Sequence, residues 1–465
     1  MKKIFCLLST LLVFTFSVWS EVKLPSIYGD DMVLQQQSIV KVTGTANSLS
    51  NIRIVTSWDE KDYHTMSDDY GGWSVKIETP SAGGPFNIIF DDGEKLILKN
   101  ILIGEVWLCS GQSNMEMPLR GNSSPVLNAS EIILHADNPS IRLFDVERAT
   151  FLTPQSDCKG EWKESTSETA RDFSAMAYQF GSILQKKLNV PIGLILSSVG
   201  GTMIETWMSS NGLKEFSEVE ISKTLNGLQS PHKEPTSLFN GMIAPLINIP
   251  IKGVIWCQGE SDRHQSKLYE KLFPAMVADW REHWKLGEFP FYYVQIAPYG
   301  STNEKKQGAL LREVQLNAMK IIPNSGMVSA IDVGMEKDIH YMDKTTPAQR
   351  LAYWALGETY RIKGINYQGS IYKSMEIEDD KIFLSFEHAP YLTSYKKPLT
   401  LFEIAGDDQV FYPANADINR QGQVIVKSEK VPHPVAVRYA FHDWVVGELY
   451  NNDGLPASSF RTDDW

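Results

Sequence analysis

The 465-residue chain has few cysteines and no concentrated positive charge. It contains 4 Cys, and its 44 Lys+Arg against 56 Asp+Glu give a formal net charge of −12. Proteins that bind nucleic acid neutralise its phosphates with a clustered basic surface, and no long Lys/Arg run is present here. We therefore expect no nucleic-acid partner, and four cysteines are too few for a disulfide-built scaffold.

The sequence also lacks metal motifs, internal repeats and low-complexity linkers. Neither H-E-x-x-H nor C-x-x-C occurs, so the cysteines and histidines are not spaced as zinc ligands and no metal site is expected. With 43% hydrophobic and 22% charged residues, the composition is that of an ordinary globular protein. Disorder, collagen and coiled coil are excluded.

Residues 1–20 have the pattern of a secretory signal peptide. Lys2 and Lys3 precede an apolar run over residues 4–19, and the small residue Ser20 comes just before polarity resumes. A membrane anchor is the alternative, but the run is shorter than the ~20 apolar residues that a spanning helix needs, and no later stretch qualifies. We expect a secreted or periplasmic protein without a membrane span.

Three cysteines follow the predicted signal peptide, namely Cys109, Cys158 and Cys257. An odd number allows at most one disulfide within the chain. A bridge between Cys109 and Cys257 would require their strands to be neighbours. Buried free thiols are the preferred interpretation.

The length suggests two or three domains. The type of secondary structure that the sequence pattern predicts changes twice along the chain. Short strand-like runs separated by turn residues, such as residues 38–44 and 73–77, fill the N-terminal part and are typical of an antiparallel sandwich. Strand-like runs return near the C-terminus. The predicted segments are a signal peptide at 1–20, an N-terminal β module at 21–100, a catalytic α/β domain at 101–365 and a C-terminal β module at 366–465.

The central part alternates short apolar runs with longer helical segments. The apolar runs, which suit strands buried on both faces, lie at residues 106–109, 193–197, 253–257, 291–296 and 327–331. Helical periodicity predicts helices near residues 173–188 and 268–284, and Thr346 followed by Pro347 indicates an N-cap with proline at the first helical position. Alternation of this kind predicts a parallel sheet covered by helices, with ligands at the carboxyl ends of its strands.

Polar residues and glycines follow directly after three of these predicted strands. Ser113 stands in the segment Cys-Ser-Gly-Gln-Ser-Asn-Met, Gly200 follows Ser-Ser-Val, and Gln258 stands in Trp-Cys-Gln-Gly-Glu-Ser. Asp338 and His340 form a fourth group just before the last predicted helix. Together these groups supply a hydroxyl, a glycine turn, an amide and a carboxylate–imidazole pair, which are the parts of an acyl-transfer site.

The chemistry assigns a role to each of these residues. A serine hydroxyl is a poor nucleophile unless a base takes its proton, and the base needs an orienting group. We therefore assign Ser113 as nucleophile, His340 as general base and Asp338 as the group that holds the imidazole. The backbone N–H groups of Ser113 and Gly200 and the side-chain amide of Gln258 are the expected oxyanion donors.

The chain resembles the sialate O-acetylesterase family of the SGNH (GDSL-like) hydrolase superfamily. The resemblance rests on the Gly-Gln-Ser-Asn-Met segment at Ser113, the Gly-Gly-Thr segment at Gly200, the Gln-Gly-Glu segment at Gln258 and the Asp-Ile-His segment at His340, and it extends over essentially the whole chain after the signal peptide. No G-x-S-x-G elbow surrounds Ser113, which disfavours the α/β-hydrolase lipases and peptidases.

The resemblance implies an α/β fold, in which a flavodoxin-like domain with a parallel sheet is flanked by N- and C-terminal β modules of sandwich or jelly-roll type. It also implies removal of acetyl groups from sugars with no cofactor and no metal. Support or substrate contact is expected from residues close to the four groups, namely Gly201, Glu260, Trp207 and Asn114. Either Gly200 or Gly201 would serve as the glycine donor to the oxyanion.

The leading functional hypothesis is a serine carbohydrate O-acetylesterase acting on O-acetylated sialic acid. An esterase for acetylated xylan or another hemicellulose keeps the chemistry and changes the sugar, and a noncatalytic glycan-binding protein would use its 12 Trp to grip sugar rings. Because sialate carries a carboxylate and the chain is acidic, sialate recognition would need a local basic group. Arg120 and Arg263, which follow the serine and glutamine segments, are the candidates.

Overall fold

The computed structural model describes residues 22–300 and 306–465. The predicted signal peptide at 1–20 lies outside the described residues. No helix in the described part of the chain combines the length and the apolarity needed to cross a membrane.

The N-terminal part consists of short strands, as the sequence predicts. They are β1 (Val33–Gln35), β2 (Ile39–Thr45), β3 (Asn51–Thr56), β4 (Asp62–Met66), β5 (Gly72–Glu78), β6 (Gly83–Asp91) and β7 (Lys95–Gly111). β3 pairs antiparallel with β4 and β6, and β2 pairs antiparallel with β5. Burial alternates along β2, where Val40 and Val42 are buried and Lys41 is exposed, because successive side chains of a strand point to opposite faces.

The central sheet contains the later part of β7 and six further strands. These are β8 (Asn138–Asp145), β9 (Trp162–Ser165), β10 (Ile192–Ser198), β11 (Gly253–Cys257), β12 (Phe291–Val294) and β13 (Ser325–Val328). The strand order is β13-β12-β11-β7-β10-β8-β9. All neighbours are parallel except β8 and β9, so the predicted parallel sheet is a mixed sheet with one antiparallel edge strand.

One strand, β7, links the N-terminal strands to the central sheet. Its first part pairs antiparallel with β6, whereas its last part pairs parallel with β10 and β11. The predicted boundary at residues 100 and 101 therefore falls within one continuous strand of 17 residues. The serine segment follows directly from the carboxyl end of this strand.

Helices cover the central sheet. They are α1 (Ser113–Glu116), α2 (Ala129–Leu134), α3 (Ser167–Asp172), α4 (Ala175–Leu188), α5 (Ser266–Trp284), α6 (Gln307–Ile321) and α7 (Thr345–Trp354). Short 3-10 helices lie at Ile204–Trp207, Pro231–Lys233, Ala244–Leu246 and Glu260–Gln265, and π-helical turns lie at Phe239–Ile243 and Ala355–Thr359.

The helices predicted near residues 173–188 and 268–284 are confirmed as α4 and α5, each with a buried apolar side. The predicted start of α7 is wrong. The N-cap position belongs to Lys344 rather than Thr346, whose backbone N–H and hydroxyl both donate to Asp343. The helix therefore begins two residues earlier than predicted, and Pro347 is its third residue.

The C-terminal part is again built from short strands, as predicted. They are β14 (Ile371–Glu378), β15 (Lys381–Glu387), β16 (Leu392–Thr393), β17 (Phe402–Ala405), β18 (Phe411–Pro413), β19 (Asn415–Ile418), β20 (Val424–Lys427), β21 (Ala436–Tyr439), β22 (Tyr450–Asn451) and β23 (Phe460–Arg461). They form antiparallel sheets of order β14-β15-β20-β19 and β18-β17-β21-β23 and a pair of β16 with β22.

The three cysteines in the described residues are buried free thiols. β7 and β11 are neighbours, but Cys109 lies opposite Ile255 and Cys257 lies opposite Gly111. The two thiols are therefore offset by two residues along the paired strands. Burial raises the pKa of Cys109 and Cys257 well above the ordinary value for a thiol, so both stay protonated at neutral pH.

Candidate active site

The serine segment turns sharply where β7 ends. Gly111 has a φ of +136°, and a Cβ at this position would lie 2.1 Å from the backbone oxygen of Cys257. Only glycine fits this conformation and this close approach. The next residue, Gln112, donates its backbone N–H to the same oxygen at 2.9 Å. Ser113 is thereby placed as the first residue of α1, at the carboxyl edge of the central sheet.

The structure brings Ser113 and His340 together. His340 Nε2 lies 3.0 Å from Ser113 Oγ, within hydrogen-bond distance. The histidine is a quarter exposed, so its ring is accessible from solvent while one edge faces the serine. This is the contact that a general base needs in order to take the proton of a nucleophilic hydroxyl.

Asp338 lies on the other side of the histidine. Its Oδ1 is 3.5 Å from His340 Nδ1 and accepts the backbone N–H of His340 at 2.8 Å. Its Oδ2 accepts a hydrogen bond from the hydroxyl of Ser124. Desolvation acts to raise the pKa of Asp338, but these hydrogen bonds and the nearby His340 and Lys344 outweigh it and hold the pKa below its ordinary value. The carboxylate is therefore charged where the imidazolium would form.

The expected glycine donor, Gly200, lies beside the serine, but its N–H already donates to another side chain. A Cβ on Gly200 would lie 3.2 Å from Ser113 Cβ, so the two residues are direct neighbours. The Gly200 N–H donates to Glu116 Oε2 at 2.7 Å, and Arg148 Nη2 donates to Glu116 Oε1 at 3.1 Å. In the described part of the chain, the Ser113 N–H donates to no protein acceptor. Gly201 has a φ of +72° and open space where a Cβ would stand.

The expectation that Gln258 presents a free donor is corrected. The residue is fully buried, and its Nε2 donates to Thr202 O at 3.0 Å and to Asp262 Oδ2 at 2.5 Å. Both N–H groups of the amide are thus engaged, and its Oε1 is buried without a partner among the described residues. The amide links the segment after the glycine turn to the 3-10 turn that follows β11.

Burial also affects the carboxyl that accepts from Gln258. Desolvation, followed by the nearby charge of Glu205, raises the pKa of Asp262 to about 7, against the hydrogen bonds from Gln265 and Gln258. Desolvation likewise raises the pKa of Glu205. The group that orients Gln258 therefore titrates near neutral pH, which the sequence alone does not indicate.

Two of the expected supporting residues, Asn114 and Glu260, form a buried network under the serine. Asn114 Nδ2 donates to Glu260 Oε1 at 2.7 Å, and Lys344 Nζ donates to Asn114 Oδ1 at 2.5 Å. Sequence reasoning missed Lys344. Its position four residues after His340 was the available signal, but lysine is rarely buried and was therefore not considered.

The expectation that Trp207 forms a sugar subsite is wrong for this structure. The residue is fully buried, and its ring packs edge to face against Trp256 with centroids 6.0 Å apart. Its Nε1 donates to the Thr202 hydroxyl at 3.1 Å, and its backbone oxygen accepts from Trp280 at 2.8 Å. The indole belongs to the core behind the glycine turn and has no face open to a sugar ring.

Known proteins similar to this chain are carbohydrate acetylesterases. A family model described as "Carbohydrate esterase, sialic acid-specific acetylesterase" matches residues 103–360. Over 483 residues the chain is 29% identical to the sialate O-acetylesterase of Homo sapiens, covering 94% of this chain and 91% of that protein. It is also 29% identical over 485 residues to the sialate O-acetylesterase of Rattus norvegicus, covering 89% and 88% of the two chains.

A solved structure is similar in both sequence and fold. The crystal structure of a carbohydrate acetylesterase from Xanthomonas citri is 33% identical and has a TM-score of 0.88, covering 96% of this chain and 100% of that one. The β parts on either side of the central sheet are therefore shared as well. Since the matched family consists of ester hydrolases, the noncatalytic glycan-binding alternative is wrong. The chain belongs to the carbohydrate esterase family of sialic acid-specific acetylesterases, and its substrate class is an acetylated carbohydrate.

Proposed function

We propose that this protein is a serine O-acetylesterase that removes acetyl groups from O-acetylated sialic acid through an acyl-enzyme on Ser113. The observation that carries the proposal is the 3.0 Å contact between Ser113 Oγ and His340 Nε2 at the carboxyl edge of the central sheet. Asp338 on the far side of the imidazole supports it, because an ionised carboxylate stabilises the imidazolium that forms when the serine is deprotonated.

The reaction proceeds in two balanced steps. Ser113 Oγ attacks the acetyl carbonyl carbon while His340 Nε2 takes the hydroxyl proton, and collapse of the tetrahedral intermediate breaks the ester bond to the sugar oxygen, which receives that proton. A water molecule, deprotonated by His340, then attacks the acetyl-serine. This second collapse releases acetate and returns the proton to Ser113.

The developing oxyanion needs donors, and Ser113, Gly200 and Gln258 are the groups we assign. The Ser113 N–H is the one of these with no protein acceptor in the described residues. The Gly200 N–H must first lose its hydrogen bond to Glu116 before it can donate to the oxyanion. The Gln258 amide must likewise give up one of its two hydrogen bonds. Each donor so gained would be worth about 10²–10³ in turnover.

The sialate carboxylate needs a basic partner, and the two candidate arginines differ. Arg120 Nε already pairs with Asp172 Oδ1 at 2.5 Å. Arg263 donates from Nε to the backbone oxygen of Glu260 at 3.2 Å, and its guanidinium carbon lies 5.1 Å from the centroid of the Tyr299 ring. No carboxylate among the described residues pairs with Arg263, so we assign it as the contact for the substrate carboxylate.

A neutral acetylated glycan such as acetylxylan is the second candidate substrate. A cavity of about 500 Å³ lies near the carboxyl end of β8 and is lined by the acidic residues Asp145, Glu147, Glu161 and Asp172, with Lys163 as the basic one. Burial, together with the nearby Glu116, raises the pKa of Asp145 to about 6. Carboxylates of this density favour sugar hydroxyls over another anion.

Acetate release distinguishes the two substrates. O-acetylated sialic acid, its methyl ester and acetylated xylan should be compared for the wild type, Arg263→Met and the matched control Arg120→Met. We expect sialic acid to be the best substrate and Arg263→Met to lower kcat/KM for it about tenfold or more, the size of a lost charge-assisted hydrogen bond, without changing the methyl ester. Faster release from xylan, with no effect of Arg263→Met on any substrate, would favour the neutral glycan.

A further inference from the structure

Lys344 is a buried lysine that the acyl-transfer chemistry leaves without a role. It occupies the N-cap position of α7, four residues after His340, and is only 1% exposed. Its Nζ donates to Asn114 Oδ1 at 2.5 Å and lies 3.9 Å from the centroid of the Tyr341 ring. Burying an ammonium group is unfavourable unless partners such as these compensate for the lost water. The buried position of Lys344 therefore depends on its contacts with Asn114 and Tyr341.

The amide that Lys344 contacts connects the two halves of the proposed catalytic pair. Asn114 directly follows Ser113, and its Nδ2 donates to Glu260 Oε1 at 2.7 Å and to Ile339 O at 3.2 Å. Ile339 directly precedes His340. One side chain therefore ties the backbone that carries the nucleophile to the loop that carries the base.

The partners of Asn114 also fix which way its amide faces. A lysine ammonium only donates hydrogen bonds, and an ionised glutamate only accepts them. The amide oxygen must therefore face Lys344 and the amide nitrogen must face Glu260, because the reverse orientation sets donor against donor and acceptor against acceptor. Without the ammonium, Glu260 and Ile339 O still accept from Nδ2, but Oδ1 loses the donor that holds it, so the amide is fixed on one side only.

We propose that Lys344 is a positioning residue for the esterase reaction, which fixes the Asn114 amide and thereby holds Ser113 and His340 at their reactive separation. The proposal rests on the assignment of Ser113 and His340 made above. Lys344 forms no hydrogen bond with Ser113 or His340 in the described structure, so its effect on their separation passes through Asn114.

The surroundings of Lys344 give this role a pH dependence. Burial lowers the pKa of Lys344 to about 8, although the facing groups Cys257, Glu260, Asp338 and Asp343 act to raise it. The pKa values of Cys257 and of the facing Tyr341 hydroxyl are raised far above neutral by burial, and that of Asp338 is lowered. Above about pH 8 the lysine is a neutral amine, so its hydrogen bond to Asn114 Oδ1 is no longer charge-assisted and the amide is held less firmly.

Steady-state hydrolysis of p-nitrophenyl acetate across this pH range tests the proposal. Wild type should lose kcat above about pH 8 at constant KM. Lys344→Met should lower kcat about tenfold to a hundredfold, the effect of a small misplacement of reacting groups, with unchanged KM and no loss of kcat centred near pH 8. Lys306→Met is the matched control, because Lys306 is the N-cap residue of α6 and pairs with Glu403 of β17 instead.

A second variant separates an effect of Lys344 on catalysis from an effect on folding. Lys344→Met leaves Glu260 buried without its cation, whereas Lys344→Met/Glu260→Gln removes both charges and should keep the wild-type melting temperature. The double variant should still show the reduced kcat. Wild-type kcat and pH profile in either folded variant would overturn the proposal, and so would loss of folded protein in both, which would assign Lys344 to stability alone.

The outcome is separable from that of the proposed function. If wild type does not hydrolyse the ester, or if Ser113→Ala hydrolyses it at the wild-type rate, the serine esterase assignment itself is wrong. If wild type is active through Ser113 and the Lys344 variants behave like Lys306→Met, only the positioning role of Lys344 is wrong.

Discussion

His340 Nε2 lies 3.0 Å from Ser113 Oγ, although 227 positions separate the two residues in the chain. The contact forms because Ser113 follows the carboxyl end of β7 while the loop before α7 returns to the same edge of the sheet. Nucleophile and base thus come from different elements, and the geometry depends on how those elements are held together.

Removing either member of the pair should abolish esterase activity. We expect Ser113→Ala and His340→Ala each to lower kcat for p-nitrophenyl acetate by about 10⁴-fold or more, because neither residue acts without the other. Melting temperature should change little, and the exposed residues Ser123 and His135 supply matched controls as Ser123→Ala and His135→Ala. Undiminished turnover in either test variant would remove that residue from the mechanism.

The hydroxyl of Ser124 should keep the Asp338 carboxylate ionised at acid pH. The hydrogen bond from Ser124 helps to keep the pKa of Asp338 below its ordinary value, so Ser124→Ala should raise that pKa. The carboxylate is then protonated at a higher pH, which a titration of the Asp338 carboxyl carbon followed by NMR in wild type and Ser124→Ala measures. Asp338→Asn, measured alongside, should lower kcat at every pH. An unchanged Asp338 pKa in Ser124→Ala would show that the Ser124 hydroxyl does not hold the carboxylate, and undiminished kcat in Asp338→Asn would separate Asp338 from catalysis.

Glu116 should restrain the oxyanion hole, because its carboxylate accepts the Gly200 N–H. Glu116→Ala frees that donor, and we expect kcat for p-nitrophenyl acetate to rise, by at most the ~10²–10³ that one donor contributes. Arg148→Met, which leaves Glu116 on Gly200, is the comparison and should bring no rise. Equal kcat in wild type and Glu116→Ala would exclude the Gly200 N–H and leave the Gly201 N–H as the glycine donor.

The sequence predicted the chemistry-bearing residues better than their partners. Ser113 follows the end of a strand, and His340 precedes a helix. Local sequence patterns reveal both positions, and the structure brings the two residues together. The acceptor of the Gly200 N–H was not predictable, because Glu116 lies 84 positions away in a separate segment. Asp262 lies only four positions after Gln258, but no local pattern marks its buried carboxyl as the acceptor of the amide. Trp207 was assigned to a sugar subsite from its place in the chain, whereas packing buries it.

The sequence predicted some strands of the central sheet and missed others. The runs that became β10, β11 and β12 are apolar except for Ser197 and Ser198 at the end of β10, since both faces of these strands are buried. β8 was missed because it contains Pro139 and the charged Arg142. Arg142 is nevertheless buried, because it pairs with Asp31 and Glu164 from outside the local sequence. Such long-range pairing leaves no local signal.

Stability should depend on pH through Asp262. Burial raises its pKa in the folded protein to about 7, so between about pH 4 and pH 7 the folded state binds more protons than the unfolded state, and the free energy of unfolding falls as pH rises. Asp262→Asn removes this dependence and can still accept from Gln258. Its stability relative to wild type should therefore grow from about pH 4 to about pH 8 and then level off.

Urea unfolding at each pH measures this difference, and the exposed Asp380, as Asp380→Asn, is the control. A difference between Asp262→Asn and wild type that is constant with pH would show that Asp262 is ionised in both the folded and the unfolded state. The buried position of the carboxyl would then be compensated by the hydrogen bonds from Gln258 and Gln265.

Trapping the acyl-enzyme tests whether Ser113 is the nucleophile. Wild-type protein mixed with p-nitrophenyl acetate and quenched in acid within one turnover should be digested and its peptides analysed by mass spectrometry. A mechanism through Ser113 requires one added acetyl group on the peptide that contains Ser113, present in wild type and absent in Ser113→Ala. An acetyl group on another residue, or active turnover with no acetylated peptide, would contradict it.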